Sequence, residues 1–186
     1  LIVAQGADAV TLDPAGQNDQ PSARVRTQIY ETLVHQNEAL ELVPGLAVSW
    51  EALDDTTWEF KLREGVTFHN GDPFTAADVK YSLERLANPA TGSPSAFIVG
   101  FLSEVNVIDD FTVHIVTKYP FAPMLAHLSH NATAIGNQRS VEEAGADFGS
   151  RVVVGTGPFE FVSWSTGSHI VLRRNDNYWF EKAKAD

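Results

Sequence analysis

A mixed-sheet architecture of the α/β or α+β kind is what the sequence predicts, and three observations predict it. Short runs alternate apolar and polar residues, as half-buried strands do. Other runs repeat apolar residues every three or four positions, as amphipathic helices do. The two kinds are interleaved without the strict strand–helix–strand rhythm of a parallel sheet. With 186 residues, 44% of them hydrophobic, the chain can bury one good core or two small ones.

Leu1 to Gln5 reads as a short buried strand, and "TLDPAGQNDQP" after it, dense in Pro, Gly, Asn and Asp, reads as a loop. Ser22 is the expected N-cap of a helix that places Val25, Ile29 and Leu33 four apart, with Tyr30 and Val34 beside them. "LVPGLAVSW" is expected to turn the chain. "TTWEFKLREGV" sets Trp58, Phe60 and Leu62 against Thr57, Glu59, Lys61 and Arg63, which predicts a strand with one dry face. Thr75 and Asp78 make a capping-box-like start to a helix carrying Val79, Leu83 and Leu86 and ending near Asn88 and Pro89. After an apolar segment from Phe97 to Leu102, "EVNVIDDFTVHIVT" predicts a hairpin joined at Asp109 and Asp110. "YPFAPMLAHL" and "SVEEAGADF" predict short helices. "FEFVSWSTGSHIVLRR" predicts a second hairpin, pivoting on Ser165 to Ser168.

Charge and composition exclude several functions. Thirteen basic against 24 acidic residues give a net charge of −11, with no basic run to follow a phosphate backbone, so nucleic acid is not an expected partner. The apolar stretches are too short to cross a bilayer. Absence of cysteine removes disulfides, thiol nucleophiles and thiolate metal sites. The chain opens at Leu1 without an initiator Met or a leader, as a processed form or an excerpt of a longer chain would.

The pair Gly155 and Gly157, after the apolar run Val152 to Val154, stands where a phosphate loop would. The dinucleotide pattern fails, because Glu160 occupies the third glycine position, Pro158 removes a donor, and the residues beyond alternate as a strand. No Lys-Ser or Lys-Thr follows, so a Walker loop is also excluded. Of the six histidines only His127 and His130 are close in sequence, and no carboxylate lies between them to complete a metal motif. Polar helix-end or cleft-lining positions are their expected role. The acid pairs Asp54–Asp55, Asp109–Asp110 and Glu142–Glu143 fall in turns or on a short helix and read as solvated. No Gly-x-Ser-x-Gly elbow is present. No catalytic residue and no cofactor is nominated, and a hydrolase using the acid pairs is a distant alternative.

Several separated phrases carry a resemblance. "LDP" at 12–14, "YETLV" at 30–34, "PGLAVSWE" at 44–51, "TWEFKLREGVTFHNGDPFTAADVKYSLERL" at 57–86, "GTGPFEF" at 155–161 and "RNDNYW" at 174–179 occur in the order found in one family. The chain resembles the family 5 solute-binding proteins, the peptide, dipeptide and nickel receptors of bacterial ABC importers. The resemblance implies a two-lobed, non-catalytic clamp of the periplasmic-binding-protein type II-like kind, of which this chain covers the first third or so. Residues 1–42 and 150–186 would be two segments of a partial first lobe, and 43–149 an inserted small α+β domain.

Residue roles follow from the resemblance, not from spacing. In peptide-binding relatives the loop after "LDP" runs along the ligand by backbone pairing. That loop is here Gln17, Asn18, Asp19, Gln20 and Pro21, which also reads as a plain helix-entry loop. Phe97 lies near a place where some relatives set an aromatic against the ligand, although Ser95 holds the matching position; otherwise Phe97 is core. His130 and Asn131 fall where nickel-binding relatives place a basic residue, and the lack of Arg there favours peptides over a nickel chelate. Gly155 and Gly157 are expected to bend the chain back into the first lobe, close enough to the cleft to touch solute. The expected partners are a small solute, most simply a short peptide, and the permease subunits. Other solutes served by the scaffold are a nickel chelate, glutathione, an oligosaccharide or an opine. The expected location is periplasmic or otherwise extracytoplasmic, free or tethered as a lipoprotein.

Overall fold

A computed structural model describes residues 1–180. Helix α1 spans Gln20–Ile29 and is followed by a small hairpin, β1 (Val34–Gln36) and β2 (Leu42–Pro44). Strands β3 (Ala47–Ala52), β4 (Thr57–Leu62), β5 (Leu102–Asp109) and β6 (Thr112–Thr117) form one antiparallel sheet in the order β3-β4-β6-β5. Helix α2 (Ala76–Ala87) packs on β5 and β6. Two short helices, α3 (Met124–Leu128) and α4 (Gln138–Ala144), precede the closing hairpin of β7 (Phe159–Ser165) and β8 (His169–Arg174).

The sheet follows from its alternation. Phe60, Val113 and Val107 stand in one cross-strand row, and Trp58, Ile115 and Val105 in the next, so their side chains share a face. Phe60, Val105, Val113 and Ile115 are fully buried there against Val79, Leu83 and Leu86 of α2. The opposite face presents Glu59, Lys61 and His114, with the Glu59 carboxylate 2.9 Å from Lys61 Nζ and 3.0 Å from His114 Nε2. Helix α2 begins as its sequence predicts: the Asp78 carboxylate accepts from the Thr75 backbone N–H at 3.1 Å and from its hydroxyl at 3.2 Å. The two predicted hairpins form, and all three acid pairs are exposed.

Four local expectations are corrected. Leu1 to Gln5 forms no strand, and Leu1, Ile2 and Val3 are exposed, because none of the described strands lies beside them to complete a ladder. The cap of α1 is Asp19, whose carboxylate accepts from the Ser22 backbone N–H at 2.8 Å with Pro21 in the first turn. The Ser22 hydroxyl instead turns inward and accepts from the N–H groups of Val10 and Thr11. This helix stops at Ile29, so Leu33 and Val34 belong to the next segment, and its buried face is Ser22, Arg26 and Ile29. "LVPGLAVSW" is two strands rather than a turn, only Gly45 and Leu46 separating β2 from β3.

Buried apolar residues form two clusters. The larger joins the four-stranded sheet, α2 and α3 with Leu33, Val34 and Leu46. The smaller gathers Ala9, Leu12, Ile29 and Tyr30 with Ala134, Val141, Phe148 and Val153. Ala134, Val141 and Phe148, expected in the inserted domain, thus pack with the two outer segments of the chain, while Ile135 beside them joins the larger cluster.

Candidate functional site

The loop from Leu12 to Pro21 is shaped by short polar contacts of its own. Asp13 accepts from the Ala15 N–H at 3.0 Å, and Gly16 donates to the Asp13 carbonyl at 3.0 Å. The same Asp13 carboxylate receives both terminal nitrogens of Arg85 from α2, at 2.9 and 2.6 Å, in the two-pronged geometry that suits a guanidinium. The turn is therefore pinned to α2, and the next residues, Gln17, Asn18 and Gln20, project into solvent while Asp19 and Pro21 are half-buried.

Beneath this loop lies Arg26, only 1% exposed. One terminal nitrogen donates to the carbonyls of Asp13 (2.9 Å), Pro14 (3.3 Å) and Gln17 (2.7 Å). The other donates to Asn131 Oδ1 at 2.9 Å, 105 residues along the chain. Burial pulls the Arg26 pKa down from its ordinary value, and the carboxylates of Asp19 and Asp13 oppose that shift.

Asn131 follows His130, whose Nδ1 accepts from the Ala132 N–H at 3.1 Å and so opens a turn of 3₁₀ helix at Asn131–Thr133. Burial lowers the His130 pKa, and the nearby Arg26 and His127 lower it further, which keeps the ring neutral at neutral pH. One turn earlier, His127 Nδ1 lies 2.7 Å from the carbonyl of Ile98, and its ring meets Phe101 and Phe121 edge-on. The residue before Ile98 is Phe97, 70% exposed on a 3₁₀ turn (Ala96–Val99), so its expected core role is corrected. The larger cluster takes Ile98 and Val99 in its place. The loop stem at Gln17 and Asn131 are thus joined through Arg26, whereas Phe97 is only the chain neighbour of Ile98, whose carbonyl His127 meets.

Gly155 and Gly157 lie elsewhere. They press against Ile29, the last residue of α1, and a ten-residue helix puts that end about 15 Å from the capping loop. A Cβ at Gly157 would come within 2.7 Å of the Ile29 carbonyl carbon, and one at Gly155 within 2.8 Å. Their backbone groups are committed within the chain. The Gly157 N–H donates to the Ile29 carbonyl at 2.8 Å. Its carbonyl accepts from Asn175 Nδ2 at 3.0 Å and meets His69 Nε2 at 2.9 Å. The Gly155 carbonyl accepts from the His69 N–H at 2.9 Å. Close backbone approach explains both glycines.

Beside them is a buried carboxylate that the sequence did not single out. Glu31, 4% exposed, accepts from Thr156 Oγ1 at 2.8 Å, Tyr178 Oη at 2.8 Å and Trp179 Nε1 at 2.6 Å. Burial raises its pKa, and the three donors and the Arg63 cation hold the rise in check. The Arg63 guanidinium lies 4.1 Å from the centroid of the Trp179 ring. Glu31 and its three donors fall inside phrases quoted above, "YETLV", "GTGPFEF" and "RNDNYW", but nothing in these phrases reports that they meet. Arg26 had a signal, a charged residue on the face of α1 that the spacing of Ile29 marks as buried.

The comparisons with known proteins agree with one another. Residues 41–186 match the family described as bacterial extracellular solute-binding proteins, family 5 middle. The glutathione-binding protein GsiB of Escherichia coli K12 is 34% identical over 180 residues, 96% of this chain and 35% of its own length. Among solved structures, the periplasmic binding protein DppA of Helicobacter pylori in complex with the peptide STSA is 31% identical with a TM-score of 0.85, covering 96% of this chain and 39% of that one. AgaA of A. tumefacien R10, in complex with agropinic acid, is 29% identical with a TM-score of 0.88, covering 94% and 35%. The chain spans about 35% of the length of the curated relatives it matches, and its fold is that part of the type II periplasmic-binding-protein architecture. On these grounds, together with the phrases that run from Leu12 to Trp179, the chain belongs to the bacterial extracellular solute-binding proteins of family 5.

Proposed function

We propose that this chain is the first third of a non-catalytic, extracytoplasmic receptor that captures a short peptide and delivers it to the permease of an ABC importer. The observation that carries the reading is the helix-entry segment Gln17–Pro21, exposed at Gln17, Asn18 and Gln20, held from below by Arg26 and tied through it to Asn131. Backbone exposed on a fixed loop can pair with any extended peptide, whatever its side chains. Asn18, Asp19, Gln20, Pro21, His130 and Asn131 are the contacts we assign, with Phe97 as an apolar flank. Gly155 and Gly157 serve the wall of the lobe through close packing. The relatives support a peptide: DppA is described with one, and glutathione, named for GsiB, is itself a tripeptide.

Residues 1–42 and 150–186 are assigned to the first lobe and 43–149 to an inserted domain, with 181–186 outside the described residues. Two apolar clusters are compatible with two units, although Ala134, Val141 and Phe148 pack with the outer segments and Ala15, Leu33 and Val34 pack with the sheet. Ligand capture would proceed by closure of a second lobe over this one, which favours the closed state only by as much as the ligand binds it better. The agropinic acid complex of AgaA favours a second reading, a receptor for an opine or another small chelate or conjugate. Calorimetry of the full-length receptor against di- to pentapeptides, glutathione, opines and nickel–histidine separates them. Binding of peptides is expected, and binding confined to opines, nickel complexes or sugars overturns the first reading.

A further inference from the structure

Arg26 offers no atom to a ligand, yet it touches both segments assigned to ligand contact. Its side chain is almost fully occluded, and its two terminal nitrogens face opposite ways in the chain's order. One gathers the carbonyls of Asp13, Pro14 and Gln17, the stem of the exposed loop. The other holds Asn131 Oδ1, at the start of the 3₁₀ turn after His130. A planar guanidinium fixes the angle between its two prongs, so the partners cannot move independently without breaking a charge-assisted bond.

From this we infer that Arg26 is a positioning residue that sets the Gln17–Pro21 loop and the His130–Asn131 turn at a fixed separation, so that the two form a single preorganised wall for the solute. The inference rests on the functional reading above for its consequence in binding, and on the hydrogen bonds of Arg26 alone for the coupling. Preorganisation raises affinity because the loop need not be ordered when the ligand arrives. The coupling also gives the receptor a specificity element outside the contact surface, since the separation of loop and turn limits the width of solute that meets both.

The test uses the full-length receptor and hydrogen exchange of the ligand-free protein, read at Ala15 and Gly16 in the loop stem and at Ala132 and Thr133 in the turn. All four amides are hydrogen-bonded within their own segments. In Arg26→Lys, whose single ammonium cannot span both partners, exchange at all four should rise at least tenfold while β4 and β6 keep their protection. In Asn131→Leu the loop-stem amides should also exchange faster, although the substitution lies in the other segment, and Asn131→Asp, which keeps an acceptor, should restore them. Affinity of Arg26→Lys for the tightest binder among di- to pentapeptides and glutathione should fall at least tenfold. Unchanged exchange at Ala15 and Gly16 in Asn131→Leu overturns the coupling. Loosening of both segments with affinity within twofold of the parent overturns its role in binding. If the parent binds none of these probes, the peptide reading fails, and the exchange comparison still decides the coupling. Should Arg26→Lys fail to fold, the Asn131 pair carries the test.

Discussion

Glu31 offers the sharpest test of how the segments of this chain are held together. Replacing it with Ala removes the acceptor of three donors, Thr156 Oγ1, Tyr178 Oη and Trp179 Nε1, at a site only 4% exposed. Hydrogen bonds to a charged group are worth about 1.5–3 kcal/mol each, but the carboxylate also bears the cost of its own burial, seen in its raised pKa. The loss expected for Glu31→Ala is therefore that of breaking a buried charged cluster, about 3–5 kcal/mol. Glu31→Gln keeps one oxygen for the Thr156 and Trp179 side, and its NH₂ faces the Tyr178 hydroxyl, which can turn to accept. Its loss should be about 1–2 kcal/mol. The two differ further in pH dependence. A carboxyl whose folded pKa is raised adds stability that is full below its unfolded value, near 4.5, and is lost as pH rises through the folded value. The advantage of the parent over Glu31→Gln should accordingly shrink as pH rises from 4.5. Urea unfolding followed by tryptophan fluorescence measures both, with Trp179 reporting at the site. Equal losses for Ala and Gln, or an advantage over Gln that grows with pH, would refute the reasoning.

Three further outcomes are expected. Gly157→Ala should cost more than 2 kcal/mol, because its Cβ would lie 2.7 Å from the Ile29 carbonyl carbon, whereas Gly6→Ala, with nothing within 4 Å, should be neutral; thermal unfolding compares them. The Asp13–Arg85 pair should show a coupling of about 1–3 kcal/mol in a double-mutant cycle of Asp13→Asn and Arg85→Met, since both side chains are largely buried. Burial lowers the His69 pKa below its ordinary 6.5, so its stabilising effect is present above that value and lost as pH falls through the folded value; His69→Gln should flatten the acid limb of the stability profile.

The elements legible in the sequence are those with strong local signals. β4 shows a run of alternation, α2 has a capping pair and an apolar stripe, and the β5–β6 and β7–β8 hairpins have polar turns between apolar strands. β1 and β2 were missed because three residues are too few to display a period. Helix α1 was found but mis-phased. Its buried face carries Ser22 and Arg26, polar groups satisfied by the backbone of other segments, and an apolar-periodicity rule counts them as solvent-facing. The candidate site was less legible than the fold. The loop and the 130–131 turn came from resemblance, and their linkage through Arg26 has no sequence signature at all.

The missed residues share a location, and that location explains why they were missed. Asp13 lies between Leu12 of the smaller cluster and Ala15 of the larger, and Glu31 between Tyr30 of the smaller and Leu33 of the larger. His69 follows Phe68 of the larger cluster and meets the Gly155–Gly157 backbone that packs on Ile29 of the smaller. Asp13 and Glu31 therefore stand where the chain passes from one apolar cluster to the other, and His69 joins the two across space. Two clusters that each bury their own apolar stripe leave few apolar side chains for the boundary, and the backbone carbonyls stranded there need donors. The Arg26 guanidinium and the His69 imidazole satisfy such carbonyls, the Asp13 and Glu31 carboxylates accept from donors there, and together they fix an angle that apolar packing would leave freer to slide. The same reasoning predicts that Asp13→Leu, which removes the Arg85 link while adding apolar volume, loosens the loop stem more than it lowers global stability. Exchange at Gly16, whose acceptor is the Asp13 backbone carbonyl and not the deleted carboxylate, rising by more than the fall in urea midpoint explains would bear that out, and a lowered midpoint with Gly16 still protected would count against it.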